Sequence, residues 1–224
     1  MKVVALAFRE FNVDIELILA DDHSDDGSTE WASRSKLFDQ IYFKPVREPF
    51  CLNTIRNEAI NLASNQHVIL IDSSNIPVST FLEGHNETLS TADCISSGAI
   101  IRCDCDAIDI IENKKISFAS KNILPCLCWG VMGGNMGFSK SLWNRIGRFD
   151  EDYNGCWGYD DNDFSLRALI HGYKLLMNKK STALHMPHAV TWERSFENNR
   201  NLDLMRSKYG PIVDQMLEID KNPS

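Results

Sequence analysis

The segment CLNTIRNEAINLASNQHVILID, residues 51–72, places a helical pattern directly before an apolar run that ends in an acid. In its first part, one helical face is apolar and is formed by Ile55, Ala59, Ile60 and Ala63. Asn53 stands where an N-cap is expected. The last six residues, 67–72, have the pattern of a buried strand that ends at Asp72. The segment therefore predicts a helix followed by a strand of an α/β sheet.

The same alternation extends to both sides of this segment. Residues 15–22, IELILADD, predict another buried strand that ends at Asp21 and Asp22. Further along, the pattern predicts helices over 139–147, 161–172 and 201–209 and a strand over 173–178. Strands that alternate with helices indicate an α/β domain with a largely parallel sheet. Ligands bind beyond the carboxyl ends of such strands, so these acids either line a binding edge or cap the next helices.

Composition excludes several classes of protein. The chain has 224 residues, of which 43% are hydrophobic and 24% are charged, as in an ordinary globular protein. Its net charge of −8 argues against a nucleic-acid-binding protein, which normally has a basic face. No apolar run approaches the ~18 residues that a transmembrane helix needs. Peripheral contact with a membrane stays open.

Seven cysteines do not form a disulfide-like pattern. Cys103 and Cys105, like Cys126 and Cys128, have one residue between them, whereas structural zinc sites usually have two to four. Buried or half-buried reduced thiols are the better interpretation than a zinc site. Reduced thiols and the lack of a signal peptide predict a cytoplasmic protein.

The segment WGYDDNDF, residues 157–164, crowds acids at the start of a predicted helix. Solvation, helix capping, metal binding and catalysis are all possible reasons for such a cluster. Asp161 lies at the helix N-terminus, where the helix dipole favours an ionised carboxylate. Asp163 is expected to cap the helix or to pair with Arg167. For Trp157, core packing and stacking on a sugar ring are both open.

Three blocks of the sequence resemble the family 2 glycosyltransferases of the GT-A fold. LILADDHSDDGS (17–28) is similar to their VDDGSTDGS signature, and residues 53–82 are similar to the helix and strand that lead to their D-x-D motif. Residues 133–175 resemble the block of galactosyltransferases and N-acetylgalactosaminyltransferases, G-G-F-D-E…W-G-x-E-D-x-D. The blocks follow the expected order. The resemblance implies a Rossmann-like nucleotide-sugar-binding fold with a mostly parallel central sheet.

The resemblance also implies roles for individual residues. On the donor side, Asp22 is expected to bind the nucleoside, Arg56 to lie near the nucleotide, and Asp72 to be the first acid of D-x-D. On the acceptor side, Gly134 and Asn135 are expected to line the sugar site, with Trp157 as a stacking candidate. Asp160 stands where the family has Glu, and Asp161 where it has the catalytic Asp. His185 is the expected metal-binding imidazole, with His188 as the alternative.

These roles imply an inverting enzyme. A hexose or N-acetylhexosamine would pass from a UDP sugar to a hydroxyl of a glycan or glycolipid acceptor, with Asp161 as general base and Asp160 beside it. The family implies Mn²⁺ or Mg²⁺ at the diphosphate. The resemblance further implies one domain over 1–195, with a nucleotide-binding half (1–90) and an acceptor-binding half (91–195), and a helical tail over 196–224.

The sequence departs from the family pattern at two places. Ser74 replaces the second acid of D-x-D, so the cation is bound weakly, depends on His185, or is absent. Residues 1–11 correspond to the end of the family's first helix, and its first strand has no counterpart. A truncated gene, an upstream start or a strand from a partner would each explain this. The alternative function is a non-catalytic protein of the same fold that binds glycan or serves as a companion subunit.

Overall fold

The computed structural model describes residues 1–11, 13–46, 48, 50–102, 123–186 and 200–221. The α-helices are α1 (Lys2–Arg9), α2 (Ser28–Ser35), α3 (Leu52–Leu62), α4 (Phe81–Thr91), α5 (Lys140–Arg145), α6 (Asp160–Ile170), α7 (Arg200–Tyr209) and α8 (Ile212–Lys221). The strands are β1 (Ile18–Asp21), β2 (Gln40–Phe43), β3 (His67–Ile71), β4 (Asn75–Pro77), β5 (Cys94–Ser97), β6 (Ile100–Arg102), β7 (Ile123–Pro125), β8 (Asn135–Ser139), β9 (Lys174–Asn178) and β10 (Ala183–His185).

The elements predicted from periodicity are present. Both strands that end in acids form, as β1 and β3, and each is shorter than its apolar run. Helix α3 begins at Leu52 with Cys51 at the N-cap, so the prediction of Asn53 as N-cap is wrong. Asn53 lies inside the helix and is buried, and its Nδ2 donates to the Asp150 carbonyl oxygen at 2.8 Å. The same residue therefore ties α3 to a distant loop instead of capping it.

The central sheet has five strands in the order β3-β8-β5-β9-β7. Only β5 and β9 pair in parallel, whereas β8 is antiparallel to both β3 and β5, and β7 is antiparallel to β9. The α/β class is confirmed, but the expectation of a mostly parallel central sheet is wrong. Strand β8, Asn-Met-Gly-Phe-Ser, begins with Asn135 and contains Gly137, so it lacks the composition that marks a strand in the sequence.

Two smaller sheets accompany the central one. Strand β1 pairs in parallel with β2, and β10 pairs with β4 in antiparallel and with β6 in parallel. Residues 1–11 contain helix α1, as expected. No strand is found before Ile18 in the described residues. Helix α1 packs by Val4, Ala7 and Phe8 into the apolar cluster that also holds Ile76 and Phe81.

The main core lies between the central sheet and helices α5 and α6. Three aromatic rings form its middle, with centroids 4.2 Å apart for Phe149 and Phe164 and 5.1 Å apart for Phe138 and Phe164. On the predicted apolar face of α6, Leu166 and Ala168 are buried with Phe164, whereas Leu169 is exposed. The packing of this face holds the first turn of α6 at one edge of the sheet.

The C-terminal helices pack on the same body. The predicted helix 201–209 is present as α7, and a further helix, α8, follows it. Leu202 and Met205 of α7 and Val213 of α8 are buried against Tyr153 and Tyr159, which precede α6. In the described part of the chain, no helix has the length and apolar character needed to span a bilayer.

The cysteines that the structure describes form no disulfide. Burial raises the pKa of the Cys94 and Cys126 thiols to about 11, so both stay protonated at neutral pH. Cys94 is buried and Cys126 is half-buried, as expected, and the reduced state stays a prediction. Cys103 and Cys105 lie outside the described residues.

Candidate active site

A buried ion pair joins α3 to the first turn of α6. The guanidinium of Arg56 is bound to the carboxylate of Asp160, and about a tenth of each side chain is exposed. The guanidinium also lies over the Phe149 ring, 5.3 Å from its centroid. These two predicted site residues are therefore neighbours, and each is the other's charged partner. The pair fixes the beginning of α6 against α3.

Asp161, the next residue of α6, is half-buried. Its Oδ2 accepts a hydrogen bond from the Gly133 amide at 2.8 Å, and its Oδ1 accepts one from the Asn162 amide at 2.9 Å. Burial raises the pKa of the carboxyl group to about 6, and the negative charge of Asp160 adds to this. The Gly133 amide and Arg56 act in the opposite direction. The result is a carboxylate that is mainly ionised at neutral pH and accepts a proton readily.

The dipeptide Gly133-Gly134 lies between this carboxylate and Asp72. A Cβ atom on Gly133 would overlap the Arg56 guanidinium, and one on Gly134 would overlap the Asp72 carboxylate. The Gly134 carbonyl oxygen accepts from the Asp72 amide at 3.2 Å and from Asn75 Nδ2 at 2.9 Å. A side chain at either position would push the facing charged group away, so the two glycines let Arg56 and Asp72 lie against the backbone. One short backbone segment connects Asp72 with Asp161.

Asp72 is exposed and follows strand β3 directly. Its carbonyl oxygen accepts from the Asn75 amide at 2.9 Å, which closes a turn through Ser73 and Ser74. Asn75 then pairs with His185 in the antiparallel ladder of β4 and β10. The fold therefore brings His185 close in space to the altered D-x-D segment, although it is far away in sequence.

The described residues include no group of three or more His, Cys, Asp or Glu side chains that would hold a metal ion. Asp72 and His185 are the ligand candidates that the ladder brings near each other, and His188 lies outside the described residues. Beside them, the Oδ1 atom of Asn75 is buried and has no hydrogen-bond partner in the described structure. This set of donors fits a hard divalent cation only if a bound phosphate supplies further oxygens.

The two acids that end β1 have different roles. Asp21 is buried, and its Oδ1 accepts from the Ser24 amide at 2.7 Å, so it stabilises the turn after the strand. Asp22 Oδ2 accepts from the Cys51 amide at 2.8 Å, at the start of α3. Asp22 Oδ1 is buried and is without a partner among the described residues. Asp22 can therefore both hold the start of α3 through Oδ2 and bind a ligand through Oδ1, which has no partner among the described residues.

Residues 116–189 match the family model described as the N-terminal domain of galactosyltransferase. The structure is similar to GalNAc-T7, solved with UDP, GalNAc and Mn²⁺ (TM-score 0.61, 14% identity, 80% of this chain and 39% of that one). It is also similar to S. aureus TarS 1–349 with UDP-GlcNAc (0.65, 12%, 95% and 60%). A third match is the mannosyltransferase PcManGT from Pyrobaculum calidifontis with GDP-Man and Mn²⁺ (0.60, 17%, 82% and 52%).

The chain has a GT-A glycosyltransferase fold. The resemblance found in the sequence is confirmed by the family match and by these structures. The chain spans between 39% and 60% of the length of the three structures. No curated protein matches it.

Within the GT-A fold, Asn135 lies beneath the site. Its side chain is fully buried, and its Nδ2 donates to the carbonyl oxygens of Ser181 at 2.8 Å and Ala99 at 3.2 Å. Its Oδ1 lies 2.9 Å from His85 Nε2. The side chain that the sequence placed in the sugar site is therefore engaged internally. Trp157 is half-buried in the loop before α6, which leaves stacking and packing both open.

His85 and Gly133 are residues of the site that the sequence did not single out. His85 is fully buried between Ser96 Oγ, at 2.9 Å, and Asn135. Burial lowers the pKa of His85 to about 4, so it is neutral and supports Asn135 as a hydrogen-bonding partner. Gly133 was detectable as the first of two consecutive glycines, but its contacts with Arg56 and Asp161 depend on the fold.

Proposed function

We propose that this protein is an inverting glycosyltransferase. It transfers a hexose or N-acetylhexosamine from a UDP sugar to a hydroxyl group of a glycan or glycolipid acceptor. The observation that carries the proposal is the placement of Asp161: the Gly133 amide holds its half-buried carboxylate, the next residue Gly134 lies against Asp72, and burial raises the pKa of the carboxyl group to about 6. The GT-A fold and the UDP-bound neighbours support the choice of donor.

In the proposed reaction, the acceptor oxygen forms a bond to the anomeric carbon as the bond from that carbon to the diphosphate oxygen breaks. The leaving diphosphate takes the electron pair of the broken bond, and the acceptor proton passes to Asp161. A positioned base of this kind typically contributes about 10²–10⁴-fold to the rate. Asp160 and Arg56 act by fixing the first turn of α6, and the Arg56 guanidinium also lies against Gly133, the residue before Gly134.

On the donor side, we assign the nucleoside to Asp22, because its buried Oδ1 offers an acceptor without a partner in the described structure. Asp72 would lie at the diphosphate, and the Gly134 backbone would line the sugar site, since a side chain there would displace Asp72. Trp157 is assigned to stack on the acceptor sugar. The net charge of −8 supports a small-molecule and glycan partner rather than nucleic acid. Reduced thiols support a cytoplasmic location.

Mn²⁺ or Mg²⁺ is the proposed cofactor, held by Asp72 and His185 with the substrate's phosphates. When bound, it would stabilise the charge of the leaving diphosphate. Titration with Mn²⁺ is expected to show weak binding by the protein alone and tighter binding with UDP, because few charged protein ligands converge. The variant S74D is expected to tighten the binding. Tight binding to unliganded wild type would contradict the proposed ligand set.

The rate of transfer is expected to depend on pH through Asp161. Since only the ionised carboxylate accepts a proton, kcat/KM for the acceptor should rise with pH through about 6 and then reach a plateau. Initial rates at acceptor concentrations well below KM, measured from about pH 4.5 to pH 8, provide the test. A value of kcat/KM that is already near its plateau at pH 4.5, as the ordinary Asp pKa of 3.8 would give, would contradict this environment for the base.

The function itself is tested by the release of UDP from a panel of UDP hexoses and UDP N-acetylhexosamines, with Mn²⁺ and with and without short glycan acceptors. The proposal expects UDP release that increases with a suitable acceptor. The altered D-x-D segment and the lack of a three-ligand cluster in the described residues favour one alternative, a non-catalytic glycan-binding or companion protein. Glycan binding without any UDP release would support that alternative.

A further inference from the structure

The loop from Tyr153 to Tyr159 leads into the two acids of α6 and has an unusual backbone. Gly155, Gly158 and Tyr159 have positive φ angles of 86°, 97° and 66°. A left-handed conformation is unfavourable for a residue with a side chain, so Tyr159 needs support from its surroundings. Tyr159 is the residue before Asp160, and its backbone sets the direction in which α6 begins.

Helix α7 supplies that support through one fully buried amide. Asn201 Nδ2 lies within hydrogen-bonding distance of three loop carbonyl oxygens: Tyr153 at 2.9 Å, Cys156 at 3.0 Å and Gly158 at 2.9 Å. Its neighbour Arg200 donates from Nη1 to the Asn154 carbonyl oxygen at 2.8 Å. Two adjacent residues of α7 therefore bind four carbonyl groups of a loop that forms no strand or α-helix of its own.

The other side of the loop is bound to α3 and to Phe50, two residues before α3 begins. The Asn53 amide donates to Asn154 Oδ1 at 3.0 Å, and the Gly155 amide donates to the Phe50 carbonyl oxygen at 2.8 Å. Helix α3 also carries Arg56, the partner of Asp160. The loop thus lies between α3 and α7. Its conformation sets the position of Asp160 relative to Arg56.

A second connection runs from the end of α7 to α6. The buried carboxylate of Asp163 accepts from the hydroxyl groups of Tyr209 at 2.7 Å and Tyr153 at 3.1 Å, and from Arg167 Nε at 2.8 Å. The acids at the start of α6 therefore have different roles. Asp163 is structural, and it joins the helix of Asp160 and Asp161 to the last residue of α7.

We propose that Asn201 is a positioning residue for the transfer reaction, holding the loop 153–159 so that Asp160 and Asp161 face Arg56 and Gly133. This inference rests on the proposed function, and it assigns α7 a direct part in arranging the base. A displacement of about 1 Å at a catalytic group can lower a rate about 10²-fold, so a single buried amide can matter this much.

The test compares N201L, which replaces the amide by an apolar group of similar size, with L202A in the same helix. Leu202 is buried in the cluster that holds Tyr153 and Tyr159, so L202A removes apolar packing from α7 while keeping the loop hydrogen bonds. We expect N201L to lower kcat by up to about 10²-fold, with the KM for the UDP sugar changed less than about 3-fold. In L202A, kcat should change less than about 3-fold below its unfolding temperature.

A pH profile separates positioning from general loss of structure. If the loop loosens, Asp161 gains contact with water. The pH at which N201L reaches half of its maximal rate should then move from about 6 toward 3.8, the ordinary pKa of Asp. The profile of L202A should keep the midpoint of wild type. Equal kcat and equal midpoints in the two variants would overturn the inference. If N201L does not fold, N201S, which keeps one donor at the same position, takes its place in both comparisons.

Hydrogen exchange gives a readout that does not depend on activity. Backbone amides of residues 153–161 are expected to exchange at least about 10-fold faster in N201L than in L202A at matched stability. Protection that stays at the wild-type level would overturn the inference even if the protein is an active enzyme. Faster exchange in N201L, combined with no UDP release by wild type, would support the role of Asn201 in holding the loop and would reject the proposed function.

Discussion

Asp161→Asn should lower kcat by about 10²–10⁴-fold while leaving the affinity for UDP within about 3-fold of wild type. The Asn side chain has the same shape, and its carbonyl oxygen can still accept from the Gly133 amide, as Asp161 does at 2.8 Å. The ability to take the acceptor proton is lost, together with one of the two hydrogen bonds that the carboxylate accepts, because the amide nitrogen of Asn cannot accept from the Asn162 amide. Turnover with saturating UDP sugar and acceptor, together with calorimetric titration of UDP, measures the two effects separately.

Asp152→Asn is the matched control for this variant, because Asp152 is an exposed acid shortly before the same loop. It removes the same charge without touching the base, so turnover should stay within about 2-fold of wild type. Near-normal turnover in Asp161→Asn would show that another group takes the proton. A loss of UDP affinity in step with turnover would indicate that the substitution had disturbed the donor site rather than the chemistry.

Arg56→Gln is expected to reduce the free energy of unfolding by about 3–5 kcal/mol. Arg56 and Asp160 are each about a tenth exposed, so removing one partner leaves a buried charge without compensation. The guanidinium would also be lost from the Phe149 ring. Urea denaturation of wild type and variant gives the difference directly, provided that both transitions are two-state.

Two further variants show whether this loss belongs to the buried charge. Adding Asp160→Asn to Arg56→Gln should restore part of the stability, because neither side chain is then charged. Arg206→Gln breaks a pair with Asp214 in which the side chains are 41% and 57% exposed, so it should change stability by less than about 1 kcal/mol. Equal losses of unfolding free energy in Arg56→Gln and Arg206→Gln would contradict the expectation that the buried pair contributes more to stability than the exposed pair.

Local patterns in the sequence predicted the elements that carry the site. The apolar spacing in 51–63 and the acid-terminated runs before Asp22 and Asp72 depend only on neighbouring residues, and α3, β1 and β3 follow from them. Strand β8 was not predicted, because Asn135 and Gly137 are placed in the sheet by pairing with β3 and β5. Tertiary contacts override weak strand propensity at such positions.

Contacts between distant residues could not be predicted from periodicity. Arg56 and Asp160 are separated by 104 positions, and their pairing depends on how α3 and α6 pack. The resemblance named both residues for the site but not the bond between them. Asn135 shows the same limit in another form, since a motif identifies a position but does not tell whether the backbone or the side chain faces the ligand.

The separation of the strands into distinct sheets has a consequence for how the donor half responds to a nucleotide. Asp22 directly follows β1 of the two-stranded sheet, and Asp72 directly follows β3, an edge strand of the central sheet. No ladder joins β1 to β3 in the described structure. The distance between Asp22 and Asp72 is therefore set by side-chain packing, which deforms more easily than a continuous ladder of backbone hydrogen bonds. A nucleotide that contacts both Asp22 and Asp72 would link the two sheets. Its binding energy would then raise the free energy of local opening of the β1-β2 sheet more than that of the main core.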